Sequence, residues 1–189
     1  MLMDSSISSG YDKRVIARCS DVRLCTFVAD DASLLVRWFN DAGLRQLLCR
    51  TEMVTLEQEQ AYLQRLYSDC GPFAYGILPN GETAPVGLCG LVEVHAARRT
   101  ATFGIFLLEE RVRRRGIGEA ATRLVLDMAF NKLGLRRVVA ITRFDNDAFH
   151  RLAAKIGFQK EGVLREYYWF DEASIDAVQY SILRCEWMK

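Results

Sequence analysis

The chain has 189 residues, 50% apolar and 26% charged, which describes one folded domain and argues against a disordered one. Lys and Arg number 25 against 24 Asp and Glu, so the net charge of +1 gives no global field for nucleic acid or an anionic membrane. No apolar run approaches the ~18 residues of a membrane span, and the first twenty residues carry no continuous apolar leader. A cytoplasmic setting without a membrane partner is expected. The six cysteines (19, 25, 49, 70, 89 and 185) form no CxxC pair and predict buried free thiols. His95 and His150 are the two histidines, and no metal site is expected.

Residues 1–20 are Ser-rich and predict a flexible arm, with one domain over 21–189. Val22 to Val28 alternates like a strand, and Asp30 or Asp31 can cap a helix carrying Leu34, Leu35, Trp38 and Phe39. Asn40-Asp41 breaks that helix before a short one around Leu44 to Leu48. Thr55-Leu56-Glu57-Gln58 fits a capping box and opens a helix to about Tyr67, with Leu56, Tyr62, Leu63 and Leu66 inward and Gly71-Pro72 ending it. Strands follow at Phe73–Leu78, Val86–His95 and Ala101–Leu108, the first two joined across Asn80-Gly81. An amphipathic helix from about Gly118 to Leu133 precedes a strand at Arg137–Thr142, a helix at about Asp147–Ile156 and a hairpin of Val163–Phe170 with Ile175–Leu183. This order predicts a single α/β domain: a mixed, mostly antiparallel sheet with helices on both faces.

Arg113-Arg114-Arg115-Gly116-Ile117-Gly118 lies between an apolar strand and an amphipathic helix. Two glycines let the backbone turn tightly and present N–H groups at a helix start, where the dipole favours an anion. The arginines add charge that suits a phosphate, and a pyrophosphate is the natural guest. A solvated arginine run before a glycine-softened helix start is the plainer alternative. The third glycine of a dinucleotide fingerprint is missing, and no Gly-Lys-Ser/Thr follows.

At this loop the chain resembles the GNAT superfamily of acetyl-CoA-dependent N-acetyltransferases. Arg113, Gly116 and Gly118 stand where that family has Arg or Gln, Gly, and Gly or Ala between a strand and a helix. Asn146 followed by Gly157-Phe158 matches a second family segment. Leu164-Arg165-Glu166 and Tyr180-Ser181-Ile182-Leu183 are similar to the branch acting on ribosomal-protein N-termini, polyamines and nucleotide amino sugars. The resemblance implies acetyl-CoA as co-substrate, with its pyrophosphate on the N–H groups of Arg114, Arg115, Gly116, Ile117, Gly118 and Glu119 and with Arg113 at the start of the loop. It further implies a pantetheine arm pairing like an extra strand near Leu107, Leu108 and Glu109, and Asn146 holding the pantetheine amide or the chain near the thiol.

Amine attack on a thioester needs a base, or a relay of water, to remove a proton. Glu93 and His95, two apart on one strand, are the candidates, with Val92 and Val94 then packing the core; Glu109 and Glu110 are weaker ones. Where many relatives carry a tyrosine that protonates the leaving thiolate, this chain has Ala153, so the acid is sought at His150, Tyr167 or Tyr168, or the thiolate leaves unprotonated. Thr102 stands where close relatives often carry a glutamate. Trp38, Asn40, Asp41, Tyr167, Tyr168, Trp169 and Asp176 are candidates for the acceptor side, since aromatics with a carboxylate can hold a cation or stack a ring. The expected function is acetyl transfer to a primary amine, small-molecule or peptide, by a monomer or homodimer. The alternatives are a non-catalytic acyl-CoA-binding module and a nucleic-acid binder using Arg111 and Arg113–Arg115, the latter opposed by the near-zero net charge.

Overall fold

The computed structural model describes residues 14–66 and 73–188. Cys70, Tyr67 and Gly71-Pro72 lie outside the described residues, as do the first thirteen of the predicted arm. The rest of that arm is a correction: Val15–Arg18 is a strand, β1, paired antiparallel with β2, Val22–Thr26. Arg14 just before it meets the buried Asp31 carboxylate at 2.5 Å.

Helices α1 (Ala32–Phe39), α2 (Ala42–Leu47) and α3 (Leu56–Arg65) follow. Asp31 precedes α1 without capping it; its carboxylate turns back to accept from the Val28 N–H at 2.8 Å. Asp41 caps α2 by accepting from the Leu44 N–H at 2.9 Å. The capping box at α3 forms as read, Thr55 Oγ1 accepting from Gln58 N and Gln58 Oε1 from Thr55 N. Leu56 is exposed rather than inward, because the first turn of α3 faces solvent.

Strands β3 (Phe73–Pro79), β4 (Gly87–His95) and β5 (Thr100–Leu107) form an antiparallel meander. Helix α4 (Ile117–Asp127) runs on into a wider turn over Met128–Lys132, closed by Leu133 N donating to Met128 O. Strand β6 (Arg137–Arg143), helix α5 (Asp147–Ile156), strands β7 (Gln159–Phe170) and β8 (Ala173–Leu183) and a short α6 (Arg184–Trp187) complete the chain. Asp171 and Glu172, both with positive φ, make the two-residue turn of the β7–β8 hairpin.

The described strands form one sheet in the order β1-β2-β3-β4-β5-β6-β8-β7, with β5–β6 as its parallel pair. One face packs on α4 and α5 through Phe103, Val125, Phe130, Val138, Phe149 and Phe158. The other carries α1–α3 through Leu35, Trp38, Leu63, Ala74 and Phe106. Cys25 and Cys89 are buried free thiols, and burial pushes the Cys25 thiol up to about 11. Cys19 and Cys185 are exposed, against expectation, because Cys19 lies in the turn after β1 and Cys185 on the short α6, both outside the core. No helix among the described residues is long and apolar enough to cross a membrane.

Candidate active site

Strands β5 and β6 stay paired only from Thr100↔Arg137 to Thr102↔Val139. Beyond that β5 continues along β4 to Leu107, while β6 continues along β8 to Arg143, so the sheet splits at its centre. Leu108 N donates to Val86 O, which sets the even positions of β5 toward β4. By alternation, the N–H and C=O of Ile105 and Leu107 face the gap. This corrects the expected Leu107–Glu109 edge: Leu108 N is already used, and the backbone facing the gap is Ile105 and Leu107. Ile105 was missed because strand parity, not residue type, identifies it.

The far end of the gap is closed by Arg113. Its guanidinium donates to Leu107 O at 3.1 and 3.3 Å and to Leu108 O at 3.3 Å, pinning the arginine loop to the end of β5. Arg114 and Gly116 both take left-handed φ, 59° and 80°, which wraps the backbone into the first turn of α4. Ala120 N donates to Gly116 O, leaving the N–H groups of Ile117, Gly118 and Glu119 without intrahelical acceptors at the helix start. Arg114 and Arg115 are exposed there. Arg111 is committed elsewhere, paired with Glu82 and Glu109. Glu109 is therefore an ion-pair partner, not a free base.

On the α1–α3 face of β5, Thr102 and the exposed Gly104 are neighbours, and a side chain added at Gly104 would meet nothing within 4 Å. The register of β4 slips by one residue between Val92↔Thr102 and His95↔Thr100. Glu93 lies in this bulge with φ 49°, and its Oε2 accepts from Thr102 Oγ1 at 2.8 Å. The bulge breaks the expected alternation: Val94 still packs on the core, whereas Val92 turns out and is 43% exposed. His95 pairs with Thr100 on the face of Thr102, exposed, its imidazole making no hydrogen bond to another described residue.

A cleft of about 390 Å³ opens where β6 ends, walled by Gly43, Gln46 and Leu47 of α2 and by Arg143, Asp145 and Asn146. Arg143 holds it together, donating to Gln46 O at 2.9 Å and pairing with Asp145 at 2.7 Å. Asn146 is more engaged than expected: Oδ1 caps α5 by accepting from Phe149 N, and Nδ2 donates to Thr142 Oγ1 at 2.8 Å. Its polar atoms position the β6–α5 turn.

Several acceptor-side candidates prove structural. Trp38 is a core residue, edge-on to Phe27 and Phe106. The Asn40 amide clamps the Val54 backbone, donating to Val54 O at 2.9 Å and accepting from Val54 N at 2.8 Å. Asp176 accepts from Glu166 N at 2.8 Å and stabilises a bulge in β7. Tyr168 lies edge-on to the exposed Tyr167 at 4.8 Å, and burial, with Tyr167 and Cys49 adding to it, pushes its phenol up to about 12. No contact among the described residues links Tyr167 to Glu93 or His95. His150 points over β8: Nδ1 meets Tyr180 OH at 2.9 Å and Nε2 meets Phe144 O at 2.8 Å, so neither nitrogen faces the gap. Ala153 is fully buried.

The sequence matches the acetyltransferase (GNAT) domain over residues 21–159. It is 29% identical over 157 residues to the uncharacterised N-acetyltransferase YoaA of Bacillus subtilis, spanning 82% of this chain and 88% of that protein. The spermidine N-acetyltransferase of Vibrio cholerae, solved with CoA and spermine, superposes with a TM-score of 0.81 at 18% identity over 90% of this chain and 100% of that one. The ribosomal-protein-S5-alanine acetyltransferase of Vibrio fischeri gives 0.80 at 19% identity, over 90% of this chain and 97% of its own. The split sheet, the loop that closes it and the domain match together make this chain a member of the GNAT family of N-acetyltransferases.

Proposed function

We propose that the protein moves an acetyl group from acetyl-CoA to a primary amine by direct attack within a ternary complex. The observation that carries this reading is the β5–β6 gap, whose exposed backbone runs up to a helix start with three open N–H groups. An extended amide-bearing arm ending in a pyrophosphate fits that combination: the arm pairs with Ile105 and Leu107 as a strand would, and the phosphates meet Ile117, Gly118 and Glu119. Arg114 and Arg115 supply the surrounding positive charge, while Arg113 fixes the loop instead of contacting phosphate. An N–H on β5 facing the gap is placed to donate to a carbonyl oxygen that gains charge during attack.

A primary alkylamine with a pKa near ~10 is about one part per thousand neutral at pH 7, a handicap of roughly 4 kcal/mol. Glu93 is the group assigned to relieve it, through ordered water, from the open surface over Thr102 and Gly104. Its carboxylate on β4 reaches the Thr102 hydroxyl on β5. His95 at the same end of β4 is the second proton acceptor. With Ala153 in place of a tyrosine and both His150 nitrogens engaged, the thiolate leaves without a proton from α5.

The acceptor is assigned only to the class of primary amines. Spermidine and a ribosomal-protein alanine, named in the structural neighbours, mark two acceptors to test first. The experiment is thiol release from acetyl-CoA with a panel of polyamines, amino sugars and N-terminal peptides, beside calorimetry with CoA. Turnover with one amine class establishes the reaction and the acceptor together. Tight CoA binding without turnover on any amine would replace this reading with that of an acyl-CoA-binding module.

A further inference from the structure

Helix α3 lays Glu59, Tyr62, Leu63 and Leu66 along its inner stripe, at the spacing i, i+3, i+4, i+7. Three of these positions carry the apolar or aromatic residues that a core-facing stripe demands; the first is a glutamate. Glu59 is 5% exposed, and its Oε2 has no hydrogen-bond partner. Burial raises its pKa, with Arg50 acting in the opposite direction. A buried carboxylate oxygen without a donor is costly, and a core leucine at this position would be cheaper.

Glu59 lines a cavity of about 360 Å³ between α1, the segment after α2, and α3, together with Phe39, Arg50, Glu52, Val54, Tyr62 and Arg65. The Asn40 clamp on Val54 holds the wall of this cavity in place. Arg50 makes no ion pair with Glu59 among the described residues; its guanidinium lies over the Phe39 ring, 5.3 Å from the centroid. The cavity therefore brings a buried carboxylate beside two aromatic rings, with the Arg50 and Arg65 guanidiniums and the Glu52 carboxylate also on its wall. Phe39 separates it from the sheet, its ring meeting Phe106 at 5.7 Å, so it is distinct from the β5–β6 gap.

We propose that this cavity binds a small zwitterion, its primary ammonium donating to the Glu59 carboxylate and its own carboxylate facing Arg50. An ammonium supplies the missing N–H donor and lies favourably against Phe39 and Tyr62. A lone cation would leave Arg50 and Arg65 repelling it, whereas a molecule with an anionic group several bonds away uses charges of both signs. This inference does not rest on the transferase reading.

The test is calorimetry with 4-aminobutyrate and, as its ammonium-free counterpart, butyrate, on the wild-type chain and on Glu59→Gln, in the absence of acetyl-CoA. Saturable binding of 4-aminobutyrate, weakened at least tenfold by Glu59→Gln and absent for butyrate, is the expected result. Thermal unfolding without ligand should show Glu59→Gln as stable as the wild type or more so, because an uncompensated buried charge is removed. Calorimetry with CoA on the same samples checks the fold of the variant and reports separately on the arginine loop. No saturable binding by the wild type, equal affinity in Glu59→Gln, or equal binding of butyrate would each overturn the proposal.

Discussion

Glu93 on β4 and Thr102 on β5 are joined across a bulge by a 2.8 Å hydrogen bond, hydroxyl to carboxylate. A regular strand would place Glu93 by simple alternation; the extra residue instead puts it in a left-handed conformation, where its carboxylate lies against the neighbouring strand. One oxygen is engaged by Thr102, which fixes the carboxylate's direction above the open surface at Gly104.

If Glu93 accepts the amine proton, Glu93→Gln should lower kcat by about 100-fold or more, with CoA affinity unchanged. Thr102→Val removes only the orienting bond and should cost less, roughly tenfold. Steady-state thiol release beside CoA calorimetry checks both. Unchanged kcat in Glu93→Gln would move the base to His95.

The arginine loop separates binding from folding. A Cβ added at Gly118 would stand 3.7 Å from Leu107 Cδ1, an ordinary contact, so the backbone tolerates a side chain there. A bulky residue, as in Gly118→Leu, should abolish CoA binding by crowding the open N–H groups while leaving the unfolding temperature nearly intact. Gly116→Ala tests the reverse, because a left-handed φ of 80° costs a residue with a Cβ about 1–2 kcal/mol. Calorimetry and thermal unfolding on the two variants should give opposite patterns.

The Asn40 clamp is predicted to matter for stability rather than for acceptor recognition. Asn40→Ala strands the Val54 N–H and C=O and should cost about 1–3 kcal/mol, read as a fall in Tm. The KM for the acceptor should stay within about twofold, which a residue lining the acceptor site would not allow.

An acid limb is also expected. Arg137 foremost, with Gln179 and Ser181 helping, holds the Glu161 carboxyl at about 2, below its ordinary 4.5. A depressed carboxyl stabilises the fold above its unfolded pKa, and that stability is lost as the pH falls from about 4.5 toward about 2. The pair is partly exposed, so the contribution is on the order of 1 kcal/mol after solvent screening. Glu161→Gln should lower stability at neutral pH and flatten its decline over that window, measured by denaturant unfolding at successive pH values.

The elements of this fold were legible where a local rule determines them. The Thr55 capping box, the Asn80-Gly81 turn and the glycine after α5 each carry their own backbone chemistry, and each stands where the sequence places it. The arginine loop was legible for the same reason. What escaped depends on partners distant in sequence. Val92 turns outward because a bulge shifts its register, and no residue type in Val92-Glu93-Val94 marks that bulge. Trp38, Asn40 and Asp176 look like ligand-binding residues by composition, yet each is consumed by a neighbour that only the tertiary fold supplies. The backbone of Ile105 faces the gap because β6 diverges, a fact of sheet topology rather than of sequence.

Arg113 ties the loop at the start of α4 to the last carbonyls of β5. Under the proposed reading, this makes the span from the anion cradle to the middle of the strand a fixed ruler. An acyl carrier is then selected by the length of the linker between its phosphates and its thioester, not by either end alone. A carrier one linker unit shorter would dock by its phosphates and hold its acyl group short of the surface over Gly104, bound but out of reach of the amine.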